Sequence, residues 1–428
     1  MRILFISEYY PPYIKGGAEV STFLLVNQLA IEHTITIACS KIATGPWNER
    51  GVEVHPIIRR FTLKNKNILS ILQYGFGIIF NPLISAVAII RLAKKVRPEL
   101  VNIVPSSYQF IPIALIMRLI LGIPTIVDCR DYSIICPAHM NCDRFDDSIF
   151  RTHGYRCLRT YNVENKFLSL FIAPFALYES TVFNAYKYSL RFTLEHVDGL
   201  RLITLSRYVR DQLVLNGFAK NKISVIANIC EIPDREPQQG KLGLPTFAFA
   251  GRLEKGKGVW EIVMAAEMLQ KRGYDFEVHI AGTGDEASSL ESYVRDNPNT
   301  PVKLLGKMDH TQVMELYEAA TAILGPSQWP EPFGRFILEA FSMGKPIIAT
   351  RSGGIPEAIN DTVTGVLIDP KSPSQLSYAM QYFIDHPEKG IAMKAAIIRE
   401  REKYKATWIA KERVGIYANL IARQHTSL

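Results

Sequence analysis

The stretch EPFGRFILEA, Glu331 to Ala340, carries two glutamates eight positions apart, the first among prolines and a glycine, the second within an apolar run. Trp329 to Pro332 cannot be helical, because proline lacks a backbone N–H and restricts the residue before it, so Glu331 is placed in a loop. From Gly334 a helix is read that carries Glu339 at about its second turn, and the neighbours Leu338, Ala340 and Phe341 mark that helix as largely covered. The two carboxylates then stand at different heights, where they can hold the two ends of an elongated polar ligand. A hydrolytic acid and base pair is the other chemistry open to them.

Outward from this stretch, strand-like and helix-like runs alternate. Before it lie TFAFAGRL, a helix over Gly258 to Gln270, FEVHIAGTG, VKLLGKM, a helix over Thr311 to Ala319, and AILGPS; after it come KPIIAT and GVLID. The first half has the same rhythm: a strand over Ile3 to Ser7, a helix over Val20 to Ala30, HTITIACS, then strands at Leu100 to Val104, Pro124 to Asp128, Gly199 to Thr204 and Ile223 to Ala227. Such alternation predicts parallel α/β units, hence two doubly wound domains. The polar, proline- and glycine-rich NICEIPDREPQQGKLGLP separates them. The expected division is 1–232 and 241–407, with a helix over about 408–428 packing back on the first domain.

Composition agrees with two globular cores. The 428 residues are 48% hydrophobic and 21% charged, which excludes a disordered chain. A formal charge of +8 favours anionic partners such as phosphates or acidic lipid. Six cysteines are too few for a disulfide framework, and Met1-Arg2 runs straight into ILFIS rather than a secretory signal, so a cytoplasmic location is expected.

In open parallel sheets ligands sit beyond the carboxyl ends of the strands, and five loops there carry unusual residues. Lys15-Gly16-Gly17-Ala18-Glu19 opens a helix with two glycines that allow close approach to a phosphate, although a glycine pair also serves steric needs. Gly251-Arg252-Leu253-Glu254-Lys255-Gly256-Lys257-Gly258 places Arg252 and Lys257 to reach one anionic group from a strand end and a helix mouth, as a pyrophosphate requires. HIAGTGDEA satisfies a dinucleotide fingerprint through Gly282, Gly284 and Ala287, with Asp309 as a ribose ligand; Asp285 and Glu286 at the helix mouth oppose it. The fourth loop is the opening stretch.

With GRLEKGKG and AGTGDE before it and GGIPEAI and TGVLIDP after it, this segment resembles the C-terminal domain of the retaining family 4 glycosyltransferases. That family has the GT-B fold, two facing Rossmann-like domains with an interdomain cleft. The resemblance implies that Arg252 and Lys257 hold the diphosphate of a nucleotide-sugar donor and that Glu339 binds the ribose hydroxyls. Glu331 would contact the transferred sugar, with the Phe333 and Gly334 amides near its hydroxyls or the phosphate, and Gly16 and Gly17 would approach the sugar phosphate. Gly251, Gly282 and Leu338 complete the implied donor site, with base recognition near Gly306, Lys307 and Met308. No metal or cofactor is implied, because Arg, Lys and a helix N-terminus neutralise the leaving diphosphate.

The fifth loop, Arg130-Asp131-Tyr132 through Cys136-Pro137, departs from the family, which has histidine where Arg130 stands. Arginine binds a carboxylate or phosphate but does not shuttle protons near neutral pH; Arg130 is retained in the implied catalytic set. Nearby, Cys136, His139, Cys142, His153 and Cys157 are spaced so that they could close a tetrahedral zinc site, but they lack paired short spacings, and a loop with reduced thiols is the expectation. Residues 67 to 90 contain no charge and have basic flanks. Their length matches the roughly 20 residues of a bilayer span, but Asn81-Pro82 interrupts them and strands of one sheet lie on both sides. A pair of helices in the membrane surface is expected, against the alternative of a buried crossover, with KFLSLFIAPFALY as a second apolar patch.

The function these features imply is transfer of a sugar from a nucleotide-sugar to a lipid-linked or cell-surface glycan precursor at the inner membrane face, with no nucleic-acid partner. The alternatives are a nucleotide-sugar epimerase of the same fold, a nicotinamide oxidoreductase, and a noncatalytic glycan- or membrane-binding relative.

Overall fold

The computed structural model describes residues 1–12, 17–40, 47–49, 51–58, 84–105, 107–136, 166–233 and 243–425, with the backbone alone for 47–49, 166–180 and 425. The chain divides into two compact units, residues 1–227 with 406–428, and residues 228–405.

In the first unit, β1 (Arg2–Ser7), β2 (Thr34–Ser40), β3 (Trp47–Glu49), β4 (Val52–Ile58), β5 (Leu100–Val104), β6 (Thr125–Cys129), β7 (Leu200–Thr204) and β8 (Ile223–Val225) form one sheet in the order β3-β4-β2-β1-β5-β6-β7-β8. Only the β3 pairing is antiparallel. Ile3 to Ile6 of β1 and all of β5 are buried, as expected of parallel strands covered on both faces. The sequence reading omitted β3 and β4. β4 contains Pro56 and alternates between buried and less buried positions, and β3 has three residues, so neither shows the continuous apolar run of the central strands.

Asp128, in β6, is fully buried, and two guanidiniums compensate its charge. Arg130 donates from Nε (3.1 Å) and Nη2 (3.0 Å) to Oδ2. Arg413, on the C-terminal helix Ala406–His425, donates from Nη1 to Oδ2 (2.8 Å) and from Nη2 to Oδ1 (3.2 Å). One turn further on, the Tyr417 hydroxyl donates to Asn102 Oδ1 in β5 at 2.8 Å. Burial alone would raise the Asp128 carboxyl, but the guanidiniums of Arg130 and Arg413 hold it below the ordinary carboxylate value.

The second unit is wholly parallel: β9 (Thr246–Ala250), β10 (Glu277–Ala281), β11 (Val302–Gly306), β12 (Ala322–Gly325), β13 (Ile347–Thr350) and β14 (Gly365–Ile368), in the order β11-β10-β9-β12-β13-β14. The chain first builds outward from β9 to β11, then returns to the other side of β9 with β12. Strand order therefore reverses between β9 and β12, and the loops leaving these two strands diverge and open a crevice.

Asp128→Ala would strand two buried guanidiniums, and its expected cost is about 3–5 kcal/mol, measured as a lowered urea midpoint. The Asp128 carboxylate's stabilisation is present above pH ~4, the unfolded carboxylate value, and is lost as the pH falls through the depressed folded value. An unchanged midpoint would contradict this account of the cluster.

Candidate functional site

The loop leaving β9 runs Gly251 to Glu254, makes a tight turn over Lys255–Lys257, and enters helix Val259–Lys271 through Gly258. Gly258 has φ 75°, and a Cβ there would lie 2.0 Å from the Pro326 carbonyl oxygen, so only glycine lets the loop after β12 pack this closely. The Gln328 and Trp329 amides both donate to the Gly256 carbonyl at 2.9 Å. From β13 and the turn beyond it, Thr350 Oγ1 donates to the Ser327 carbonyl (2.6 Å) and the Gly354 amide to the Glu331 carbonyl (2.7 Å). Gly353, at φ 60°, leaves room for the Glu331 backbone, which a Cβ would meet at 2.3 Å. Three strand ends thus hold one acidic residue in place.

Its side chain faces Lys257. Lys257 Nζ donates to Glu331 Oε1 at 2.5 Å, and Ser327 Oγ donates to the same oxygen at 3.1 Å. Glu331 and Ser327 are buried, and the Lys257 side chain is partly exposed. In the helix that follows, Arg335 Nε donates to Glu339 Oε1 at 2.7 Å across one helical turn. Arg252 Nη1 donates to Glu254 Oε1 at 2.5 Å near the surface. Each cation of the site therefore faces a carboxylate. An anion carrying more charge than one carboxylate would compete for Lys257 and Arg252. Helix Arg335–Ser342 begins at Gly334 (φ 87°) and turns its N-terminal amides and positive end toward the loop that carries Glu331.

The other expected donor residues lie on neighbouring loops or in the core. The Gly251 amide donates to the Ala281 carbonyl (3.1 Å), and the Gly282 amide to the Gly306 carbonyl (2.7 Å). Gly306 ends edge strand β11, and exposed Lys307 and partly buried Met308 follow it. Leu338 is buried, its carbonyl accepts from Cys230 Sγ (3.3 Å), and the Phe333 ring packs edge-on against Tyr404 at 5.8 Å. Both side chains are thus used in packing, which leaves the backbone as the part of Phe333 that can meet a ligand.

In the first unit, Gly17 begins helix Gly17–Leu29, and Gly16 lies outside the described residues. Arg130 differs from the expectation that it faces a substrate anion. Its guanidinium is buried, binds Asp128 of its own chain, and donates from Nη1 to the Ala18 carbonyl at 2.9 Å. Of the cysteine and histidine cluster, only Cys136 is described, and it is buried; His139, Cys142, His153 and Cys157 lie outside the described residues. Of 67–90, only 84–90 is described, as the start of a helix over 84–96.

The dinucleotide rival loses its two supports. Its glycines follow β10, the second strand of the sheet, whereas a dinucleotide fingerprint belongs after the first. Asp309 caps helix His310–Ala319, accepting from the Gln312 amide at 2.9 Å while Gln312 Oε1 accepts from the Asp309 amide. Sequence reading assigned no role to Ser327 or to Gly353-Gly354, although a glycine pair directly after a strand is a signal of close backbone approach.

Residues 232–400 match the sequence profile of the family described as Glycosyl transferases group 1. That match takes in most of the second unit. A glycogen synthase of Mycobacterium tuberculosis is 31% identical over 193 residues, 44% of this chain and 46% of the relative. The chain thus spans about half the length of the curated relatives it matches. Among solved structures, the Anabaena protein HepE in complex with UDP superposes with a TM-score of 0.67 at 18% identity, covering 98% of this chain and 100% of that one. The apo form of the lipopolysaccharide outer core galactosyltransferase WaaB gives 0.59 at 17% identity, covering 99% and 100%. The family resemblance read from the motifs holds, and the fold is GT-B, with two Rossmann-like parallel sheets.

Gly258→Ala forces a left-handed residue against the Pro326 carbonyl and is expected to destabilise the chain by about 1–3 kcal/mol. Thermal unfolding of the purified variant checks this; an unshifted transition would show that the two loops can separate without cost.

Proposed function

We propose that the chain is a retaining glycosyltransferase that moves a sugar from a nucleotide-sugar to a lipid-linked or cell-surface glycan precursor at the cytoplasmic face of a membrane. The observation that carries the reading is the meeting of Lys257 and Glu331, from the loops after β9 and β12, at the reversal of strand order. A cation for the diphosphate and an acid for the sugar hydroxyls, side by side, suit a molecule in which phosphate and sugar are joined. Glu339, eight residues on, is a ribose ligand by family resemblance.

In the transfer, the acceptor hydroxyl oxygen bonds to the anomeric carbon on the face from which the phosphate oxygen departs. The leaving diphosphate takes the hydroxyl proton, so the products are a glycoside of retained configuration and a nucleoside diphosphate. Lys257, Arg252 and the N-terminus of helix Arg335–Ser342 stabilise the charge that grows on that diphosphate. The Anabaena neighbour binds UDP, which supports a nucleotide donor of this class.

A membrane-facing acceptor is supported by the helix over 84–96. Ile84, Val87, Arg91, Lys94 and Lys95 are its exposed positions, spaced along one side with apolar residues at one end and basic ones at the other. No helix among the described residues is long and apolar enough to cross a membrane, so contact would be made at the surface.

Lys257→Ala and Glu331→Gln are each expected to lower kcat/KM about 100-fold, roughly 2.7 kcal/mol of transition-state stabilisation, with nucleoside diphosphate release as the readout. Undiminished transfer from every nucleotide-sugar tested would refute the assignment. Reversing charge with Lys94→Glu and Lys95→Glu should weaken sedimentation with anionic vesicles by at least tenfold, because each juxtamembrane lysine contributes about 1 kcal/mol, and should leave neutral vesicles unaffected. Equal binding by wild type and variant would remove this helix from the membrane reading.

A further inference from the structure

Three parts of the first unit are joined through Arg130 and Asp128. Arg130 Nε and Nη2 both address Asp128 Oδ2, while Nη1 reaches the Ala18 carbonyl in the first turn of helix Gly17–Leu29. Asp128 is in turn gripped through both oxygens by Arg413, 285 residues away on the C-terminal helix. The planar guanidinium fork makes this possible, since one edge meets the acid while the remaining nitrogen points elsewhere. A lysine ammonium has its three donors on one nitrogen and lacks the fixed fork that gives the acid two bonds and the carbonyl a third. Two guanidiniums on one carboxylate also leave a surplus positive charge at a buried place, which strengthens the bond from Arg130 to the neutral Ala18 carbonyl. Thr22 Oγ1 donates to the same carbonyl oxygen at 2.8 Å, and Ser21 Oγ to the Gly17 carbonyl at 2.8 Å. The first turn of the helix is therefore anchored from outside by Arg130 and from inside by its own hydroxyls.

We propose that Arg130 is a positioning residue, which fixes the entry of helix Gly17–Leu29 through the Ala18 carbonyl and is itself fixed by Asp128 and Arg413. Gly17 is the first residue of that helix, so the C-terminal helix bears on its position through two side chains. The histidine of the family is replaced here by a residue that acts on the protein's backbone and does not touch the substrate. The consequence for turnover rests on the glycosyl-transfer reading; the structural consequence does not.

The test uses the full-length chain with Arg130→Lys and Arg413→Lys. Hydrogen exchange of the ligand-free protein, followed by mass spectrometry, should show peptides covering 17–26 exchanging at least tenfold faster in Arg130→Lys, with β1 and β5 unchanged. Arg413→Lys should accelerate the same peptides and stands in if the first variant does not fold. If Arg130 were a substrate ligand only, exchange without ligand would be unaltered, and that result overturns the proposal. Once the wild type is seen to turn over, Arg130→Lys should lower kcat at least tenfold while donor affinity by calorimetry changes less than twofold. A donor affinity that falls as far as kcat would make Arg130 a donor ligand and also overturn the proposal. Absence of turnover in the wild type would instead count against the glycosyl-transfer reading, and the exchange result alone would then decide the role of Arg130.

Discussion

Lys257 and Glu331 meet because parallel strands in the second unit reverse their order between β9 and β12. Every other feature of the candidate site follows from that junction. The loops leaving the two strands pack closely enough to require glycine at 258, and Gly256 offers a carbonyl to two amides of the facing loop. The turn after β13 then fastens the Glu331 backbone, while Ser327 fixes one oxygen of its carboxylate. Helix Arg335–Ser342 follows the same loop, so its positive end lies a few residues beyond Glu331 along the chain. A site in which cations rest on carboxylates of their own chain is stable without ligand, yet gives up those contacts to a more highly charged anion.

A different constraint organises the first unit. A carboxylate inside a parallel strand is costly unless it is matched, and Asp128 is matched by one arginine two residues on and by another on the C-terminal helix. That requirement draws the C-terminal helix onto the end of β6, and Tyr417 continues the attachment to β5. The chain's last described helix is thereby part of the first unit, although the whole second unit precedes it in sequence.

Much of this was legible in the sequence, for physical reasons that also explain what was not. Strands covered on both faces, such as ILFI in β1 or LVNIV in β5, appear as apolar runs, and prolines around Glu331 exclude helix there as the structure shows. The half-exposed β4, interrupted by Pro56, gives no such run. Within the site, the types of residue and their loops could be read, but the pairing of Lys257 with Glu331 spans 74 positions and needs the strand order. The role of Ser327 is set by a hydroxyl direction that spacing does not encode. Arg130 was read as a ligand for an external anion because its partners, Asp128 two residues away and Arg413 far downstream, become neighbours only once β6 and the C-terminal helix are packed.

The central claim is that the junction of the β9 and β12 loops seats the diphosphate of a nucleotide-sugar. Calorimetric titration of the full-length protein with matched nucleoside mono- and diphosphates of uridine, guanosine and adenosine tests it most directly. The account predicts that, for at least one base, the diphosphate binds at least tenfold more tightly than the monophosphate, because the second phosphate is the group that Lys257 and Arg252 await. Equal affinity for the two, or no binding to any of the six, would contradict it.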